Sequence, residues 1–223
     1  MELSDYFRIL RTRGWIIVVV AVIAAVSAFG FSRLQRKVYK SSMQMTVLPA
    51  RNDMGLAQTT KQLLRAYVTI MDTKNWAQQV LDRLAQDGHP QDMTPDQLKN
   101  NVTIASYEDK NVIQIDAKDG NGEQANRIAW LWAQKFQIWR DTENQDVRKE
   151  DRVDVLLGDY PTYTKFRPQT TINTAAGGIF GALLGALIVA ALEWIESGLV
   201  RTPADVERKL GLAVLGAIPS AER

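Results

Sequence analysis

Two long apolar blocks lie near the ends of the chain, and between them the hydrophobic positions recur at shorter, changing periods. From Gly14 to Ser32, "GWIIVVVAVIAAVSAFGFS", nineteen residues carry no charge; from Gln169 to Leu192, "QTTINTAAGGIFGALLGALIVAAL", twenty-four carry none. About 20 mostly apolar residues in a helix cross the hydrocarbon layer, so each block predicts a transmembrane helix. A Lys or Arg at mid-span costs about 2.5–3.5 kcal/mol on insertion scales, and neither block contains one. Trp15 and Trp194 stand at the outer ends, where amphipathic rings prefer to lie. Secretory leaders carry apolar cores of about 7–15 residues. The first block is longer and runs directly into Arg33, Arg36 and Lys37, which favours a retained anchor over a cleaved signal. Two spans leave both termini on one side. The predicted division is a cytoplasmic segment 1–13, spans 14–32 and 169–194, an extracytoplasmic domain 33–168 and a cytoplasmic tail 195–223.

Within the middle segment the period alternates between two and three-to-four. Val38 to Leu48 alternates loosely and reads as a strand leaving the first span. Leu56 to Met71 places Leu63, Leu64, Tyr67 and Met71 at helical spacing, and a second helix covers Trp76 to Leu84. Thr94 followed by Pro95 is a helix start, giving a short helix to Asn100 that runs into a hairpin of Val102–Tyr107 and Val112–Ala117. The longest helix is expected from Gly122 to Arg152, about 45 Å at 1.5 Å per residue. Its apolar stripe is Ala125, Ile128, Leu131, Trp132, Phe136 and Trp139. Lys135 falls inside that stripe, so either its stem snorkels or the stripe is open to another subunit. Trp130 points the other way, beside Asn126, Gln134 and Gln137, and reads as an exposed ring: a surface aromatic, a subunit contact or a sugar platform. Val153 to Tyr160 reads as a last strand, followed by a stiff lead from Pro161 and Pro168 into the second span. The first and last strands both join spans, so they should lie side by side at the base of the domain. The expected class is α+β: two transmembrane helices flanking a small extracytoplasmic α/β domain with a long helix.

Charge and candidate chemistry narrow the function. Residues 33–170 hold twenty basic and eighteen acidic side chains, which is no footprint for nucleic acid. With no cysteine in the chain, disulfides and thiolate metal sites are ruled out. His89 is the only histidine, and nothing around it reads as a nucleophile site. The glycine-rich run in the second span lacks the Lys-Ser/Thr ending of a phosphate loop. Asp116, Asp119 and Glu123 are near enough in sequence to act as paired carboxylates, but a solvated turn beside a helix start explains them better. No catalytic residue, cofactor site or metal site is expected. What the second span does carry is packing information. Gly177, Gly181 and Gly185 form two overlapping G-x-x-x-G spacings, with Gly178, Ala182 and Ala186 alongside. Ala21, Ala25 and Ala28 give the first span a comparable small side. Such faces let helix backbones approach closely, within or between protomers.

These pieces resemble the chain-length determinant (Wzz-type) polysaccharide co-polymerases over nearly the whole chain. "LSDYFRILRTRGWIIV" (Leu3 to Val18) is similar to that family's lead into its first span. "LLRAYVTIMDTKNWAQQVLDRL" (Leu63 to Leu84), "MTPDQLKNNVTI" (Met93 to Ile104) and "VIQIDAKDGNGEQANRIAWLWAQKF" (Val112 to Phe136) follow its pattern in order. "ESGLVRTPADVERKLGLAVLGAIP" (Glu196 to Pro219) resembles the segment that joins this membrane module to a P-loop kinase domain in bacterial tyrosine kinases. The resemblance implies a bacterial inner-membrane, multi-pass protein with both termini cytoplasmic. It implies a ring-like homo-oligomer that controls the length or export of a surface polysaccharide beside a polymerase and its polymer. The loop is short for the family, so a tall helical projection should be reduced.

The last residues extend the expectation. Thr202 and Pro203 should start a short helix stopped by Gly211, and Ala213 to Ile218 should be a strand ended by Pro219. No kinase fold follows within these residues, so the tail is expected to dock a separate cytoplasmic P-loop tyrosine kinase by strand addition, through Thr202, Pro203, Val214, Leu215, Gly216, Ile218 and Pro219. Two other classes fit the same outline: a two-span sensor with a ligand-binding outer domain, and a structural membrane scaffold.

Overall fold

The computed structural model describes residues 3–50 and 54–197. The chain divides into two units, residues 35–168 and the terminal helices. The tail residues Thr202, Pro203, Val214, Leu215, Gly216, Ile218 and Pro219 lie outside the described residues.

The terminal unit is a pair of helices, α1 (Leu3–Leu34) and α6 (Thr170–Ser197). Segments Arg11–Leu34 and Thr170–Glu196 are long and apolar enough to cross a bilayer. The helices run antiparallel, because Ala28, Ala24 and Ile17 meet Gly177, Gly181 and Gly185 in turn. Their apolar side chains face away from the pair: Val18 is 61% exposed and Leu187 66%. A core helix of a water-soluble protein hides such residues; a lipid-facing pair presents them. Polar contacts are confined to the two ends. Arg13 pairs with Glu196 and lies 3.9 Å from Glu193, while Asn173 Nδ2 donates to Ser32 Oγ at 3.1 Å.

The unit of residues 35–168 is an antiparallel sheet with helices on one face. Its elements are β1 (Val38–Pro49), α2 (Met54–Met71), α3 (Lys74–Gln86), α4 (Pro95–Asn101), β2 (Val102–Tyr107), β3 (Val112–Asp119), α5 (Gly122–Glu143), β4 (Val153–Leu157) and β5 (Tyr163–Arg167). The strand order is β2-β3-β1-β4, and β5 also pairs with β1. Period-two alternation sends Met43, Met45, Val47, Ile113, Ile115, Ala117, Val153 and Val155 to the covered face. Lys40, Ser42, Gln44, Gln114 and Asp116 fall on the other face, because successive side chains alternate across a pleated strand. Across the core, α5 contributes Ala125, Ile128, Ala129, Trp132, Ala133 and Phe136, and α2, α3 and α4 add Leu64, Tyr67, Met71, Trp76, Leu84 and Leu98. At the start of α4, Thr94 Oγ1 accepts from Gln97 N and Gln97 Oε1 accepts from Thr94 N, a reciprocal capping box.

Three expectations are corrected here. The long helix ends at Glu143, not Arg152, giving 22 residues and about 33 Å. It stops because Asn144 turns its side chain onto the returning strand: its Nδ2 donates to Val153 O at 3.0 Å and its Oδ1 accepts from Arg140 Nη2 at 2.7 Å. Two 3-10 turns, Asn144–Asp146 and Lys149–Asp151, fill the interval. The strand expected over Val153–Tyr160 ends at Leu157, where Gly158 N donates to Gln44 O at 2.9 Å. A Cβ on Gly158 would stand 2.8 Å from that same carbonyl.

The third correction concerns pairing. β4 does lie beside β1, but along Met45–Pro49; the first residues of β1, Val38–Ser41, pair with β5, which the sequence reading left as a linker. "YTKFR" is too short and too polar to show a clean period, so only its backbone pairing reveals it.

Candidate functional site

α5 positions the candidate residues of the outer unit. Along it, α3 leaves a cleft of about 620 Å³ lined by Gln79, Arg83, Leu131, Lys135, Ile138 and Trp139. Lys135 reaches to α3 and holds its ammonium 4.5 Å from the centre of the Trp76 ring, donating to Gln79 Oε1. Burial pushes the Lys135 pKa below the usual lysine value, since desolvation disfavours the charged form.

Trp130 departs from expectation. It is half-buried rather than exposed, with its ring 5.3 Å from that of Tyr160 and tilted by 48°. Asn126, expected beside it on an open face, is itself buried. Trp130 and Tyr160 border a smaller hollow of about 230 Å³ that also receives His89 and Arg127 and shares Leu131 and Gln134 with the larger cleft. The two hollows therefore form a continuous groove along α5. Asp87 and Leu84 complete the lining of the hollow around His89.

Asp116 does not belong to a solvated turn with Asp119 and Glu123. It lies in β3, where Lys40 Nζ approaches to 2.7 Å, Ser42 Oγ donates at 2.6 Å and Gln114 Nε2 at 2.9 Å. Burial by itself would raise this carboxyl, but those three donors together hold its pKa below the usual aspartate value. Asp119 and Glu123 do sit at the start of α5: Asp119 Oδ1 accepts from Asn121 N, and Asn121 Oδ1 accepts from Glu123 N. No group of three or more His, Asp or Glu residues fit to hold a metal occurs among the described residues.

The sequence reading missed the cover on the outer edge of β4. Val153 O accepts from Asn144 and Arg140, and Val155 O accepts from Gln137 Nε2 at 3.2 Å. Free edge carbonyls invite pairing with another chain, and α5 side chains occupy these. Arg140 at i and Asn144 at i+4 near the helix end is the only hint of it in the sequence.

In the terminal unit the glycines meet backbone. A Cβ on Gly181 would stand 2.6 Å from Ala24 Cβ and 2.9 Å from Ala21 Cα; one on Gly185 would stand 2.7 Å from Ile17 Cα; one on Gly177, 2.6 Å from Ala28 Cβ. Gly178 is different, with only Ala25 Cβ at 3.7 Å. Ala24, absent from the small-residue side read in the sequence, is the residue nearest Gly181.

Residues 1–84, covering α1, β1, α2 and most of α3, match the family described as chain length determinant protein. Similarity continues well beyond them. Capsular polysaccharide biosynthesis protein CpsC of Streptococcus pneumoniae is 25% identical over 233 residues, covering 100% of this chain and 96% of that protein. The chain resembles the chain length determinant (Wzz) family: its first 84 residues match the family model, and the likeness to CpsC runs over its whole length. Two further relatives are similar over most of the chain. Capsular polysaccharide type 5 biosynthesis protein cap5A of Staphylococcus aureus (strain Newman) is 27% identical over 81% of this chain and 79% of its own length. Probable capsular polysaccharide biosynthesis protein YwqC of Bacillus subtilis (strain 168) is 25% identical over 91% and 80%. The family and relatives it resembles are named for chain length determination and capsular polysaccharide biosynthesis, not for a catalysed reaction.

Proposed function

We propose that this protein sets the chain length and export of a surface polysaccharide, capsular by analogy with its relatives, as a homo-oligomer in the bacterial cell membrane. Support comes chiefly from likeness to the Streptococcus pneumoniae protein over the whole chain, in a molecule whose two candidate spans bracket a sheet domain. Both termini face the cytoplasm in this reading, and the sheet domain works outside beside a polymerase and its polymer. Copies meet through the α5 face bearing Lys135 and Trp130, where Ile138 is 60% exposed. Gly177, Gly181 and Gly185 hold the spans together in lipid.

The tail recruits and activates a separate P-loop tyrosine kinase by adding a strand, Val214, Leu215, Gly216 and Ile218, to the kinase sheet, with Thr202, Pro203 and Pro219 framing it. Deleting the gene shifts the length distribution of the surface polysaccharide on a gel; an unchanged distribution ends the reading. Deleting Arg201–Arg223 abolishes co-purification of the kinase while the polymer still forms. Undiminished recovery of the kinase ends the docking part alone.

A further inference from the structure

A second hollow, of about 260 Å³, opens on the unit of residues 35–168, away from the α5 groove. It is lined by Val38, Asn101, Lys118, Asp119, Gly120, Phe166 and Arg167. A water's share of liquid volume is about 30 Å³, so the hollow has room for a group of several heavy atoms. Two cations converge on one ring inside it. Lys118 Nζ lies 5.0 Å from the Phe166 centroid and Arg167 Cζ lies 5.4 Å from the same centroid. Neither forms an ion pair with a carboxylate among the described residues. Asp119 offsets one of the two charges; its Oδ1 accepts from Asn121 N at 2.7 Å, and the lining keeps a net positive charge. Like charges held around one ring repel, and an anion between them removes that repulsion.

The place of these residues in the chain says which anion. Arg167 is separated from α6 only by residues 168–169, and Val38 from α1 only by residues 35–37. Three residues reach about 10 Å at full extension, comparable with the headgroup layer on one side of a bilayer. Two more exposed cations, Arg36 and Lys37, lie in that short connection. We propose that this hollow binds the phosphate of an anionic lipid headgroup, with Lys118 and Arg167 as its two cationic contacts and Phe166 as the ring that holds both in place. The inference rests on reading the terminal helices as spans. It adds a lipid ligand at a site distinct from the groove and the tail.

The test is native mass spectrometry of the full chain released from nonionic detergent, loaded with equal amounts of phosphatidylglycerol and phosphatidylcholine bearing the same acyl chains. Each basic residue near an anionic surface contributes several-fold in affinity, so phosphatidylglycerol adducts should exceed phosphatidylcholine adducts by roughly tenfold. Lys118→Gln with Arg167→Gln brings the ratio to about one. Lys118→Arg with Arg167→Lys, which keeps both charges, retains most of the preference and excludes misfolding as the cause. Equal adducts on the wild type overturn the proposal, as does a preference that survives in the neutral double variant. A further arm replaces lipid by inorganic phosphate. Phosphate adducts that depend on Lys118 and Arg167, alongside equal binding of the two lipids, assign the hollow to a soluble anion and overturn the lipid source. Failure of the membrane reading is separate: it shows as a chain that stays monodisperse without detergent, whatever the lipid ratio.

Discussion

Replacing Gly181 by alanine should loosen the helix pair, while the same change three residues earlier should not. At Gly181 the added methyl would stand 2.6 Å from Ala24 Cβ and 2.9 Å from both Ala21 Cα and Val20 O. Carbon atoms pack at about 3.5–4.0 Å, so the helices must part by about 1 Å at that point. Two of the three nearest atoms are backbone and cannot rotate aside. At Gly178 the added methyl meets only Ala25 Cβ at 3.7 Å, an ordinary contact. Both changes gain similarly from leaving glycine inside a helix, up to about 1 kcal/mol, so that gain cancels in the comparison. Overpacking costs about 1–3 kcal/mol. Gly181→Ala should therefore pair more weakly than Gly178→Ala by roughly five- to 150-fold.

The cysteine-free chain suits a distance assay. Cysteines at Phe31 and Ile172, 67% and 60% exposed at the end of the pair marked by Ser32 and Asn173, can carry a donor and an acceptor dye. Energy transfer in nonionic detergent is then followed as sodium dodecyl sulfate is added. The Gly181→Ala midpoint should fall below wild type and the Gly178→Ala midpoint should not. Equal midpoints for the two variants would refute the close-approach argument.

Other changes probe the outer unit, each in the full chain in detergent. Asn144→Ala removes the group that ends α5 and leaves the buried Arg140 guanidinium with Val153 O at 3.4 Å; hydrogen bonds to charged groups contribute about 1.5–3 kcal/mol, and the urea midpoint of tryptophan fluorescence should fall accordingly. Lys135→Met removes a cation that burial disfavours but loses a stack over Trp76 that contributes about 0.5–2 kcal/mol, so the net change at neutral pH should be small. The pH dependence is the sharper readout. Because burial lowers the Lys135 pKa in the folded chain, the wild type should gain stability relative to Lys135→Met as pH rises through that folded value toward 10.5; parallel curves would refute this. For Asp116 stability again rises with pH, but here it is the charged form that the fold favours. Its folded pKa lies below the usual value, so its contribution is complete above the unfolded pKa of about 3.9 and is lost as pH falls through the folded value. Asp116→Asn should flatten the acid limb of the stability curve, which a urea series at descending pH would reveal.

The sequence by itself determined whatever rests on neighbours along the chain. Uninterrupted apolar length marked α1 and α6 as candidate spans, alternation marked β1, β2 and β3, and Thr94-Pro95 marked the start of α4, because these signals depend on the local backbone period and its hydrogen bonds. The tertiary structure decided what rests on partners distant in sequence. Lys135 looked misplaced until Trp76 came under it from α3, and Trp130 looked exposed until Tyr160 came against it. The end of α5 depended on Val153, and β5 had no identity apart from β1, the strand it pairs with. Asp116 fell within the strand read over Val112–Ala117, but its partners Lys40 and Ser42 came only with the pairing of β1. Periodicity reports which face of an element is apolar; it carries no information about which side chain of another element will fill the space opposite, and that is set only when the chain closes its long-range contacts.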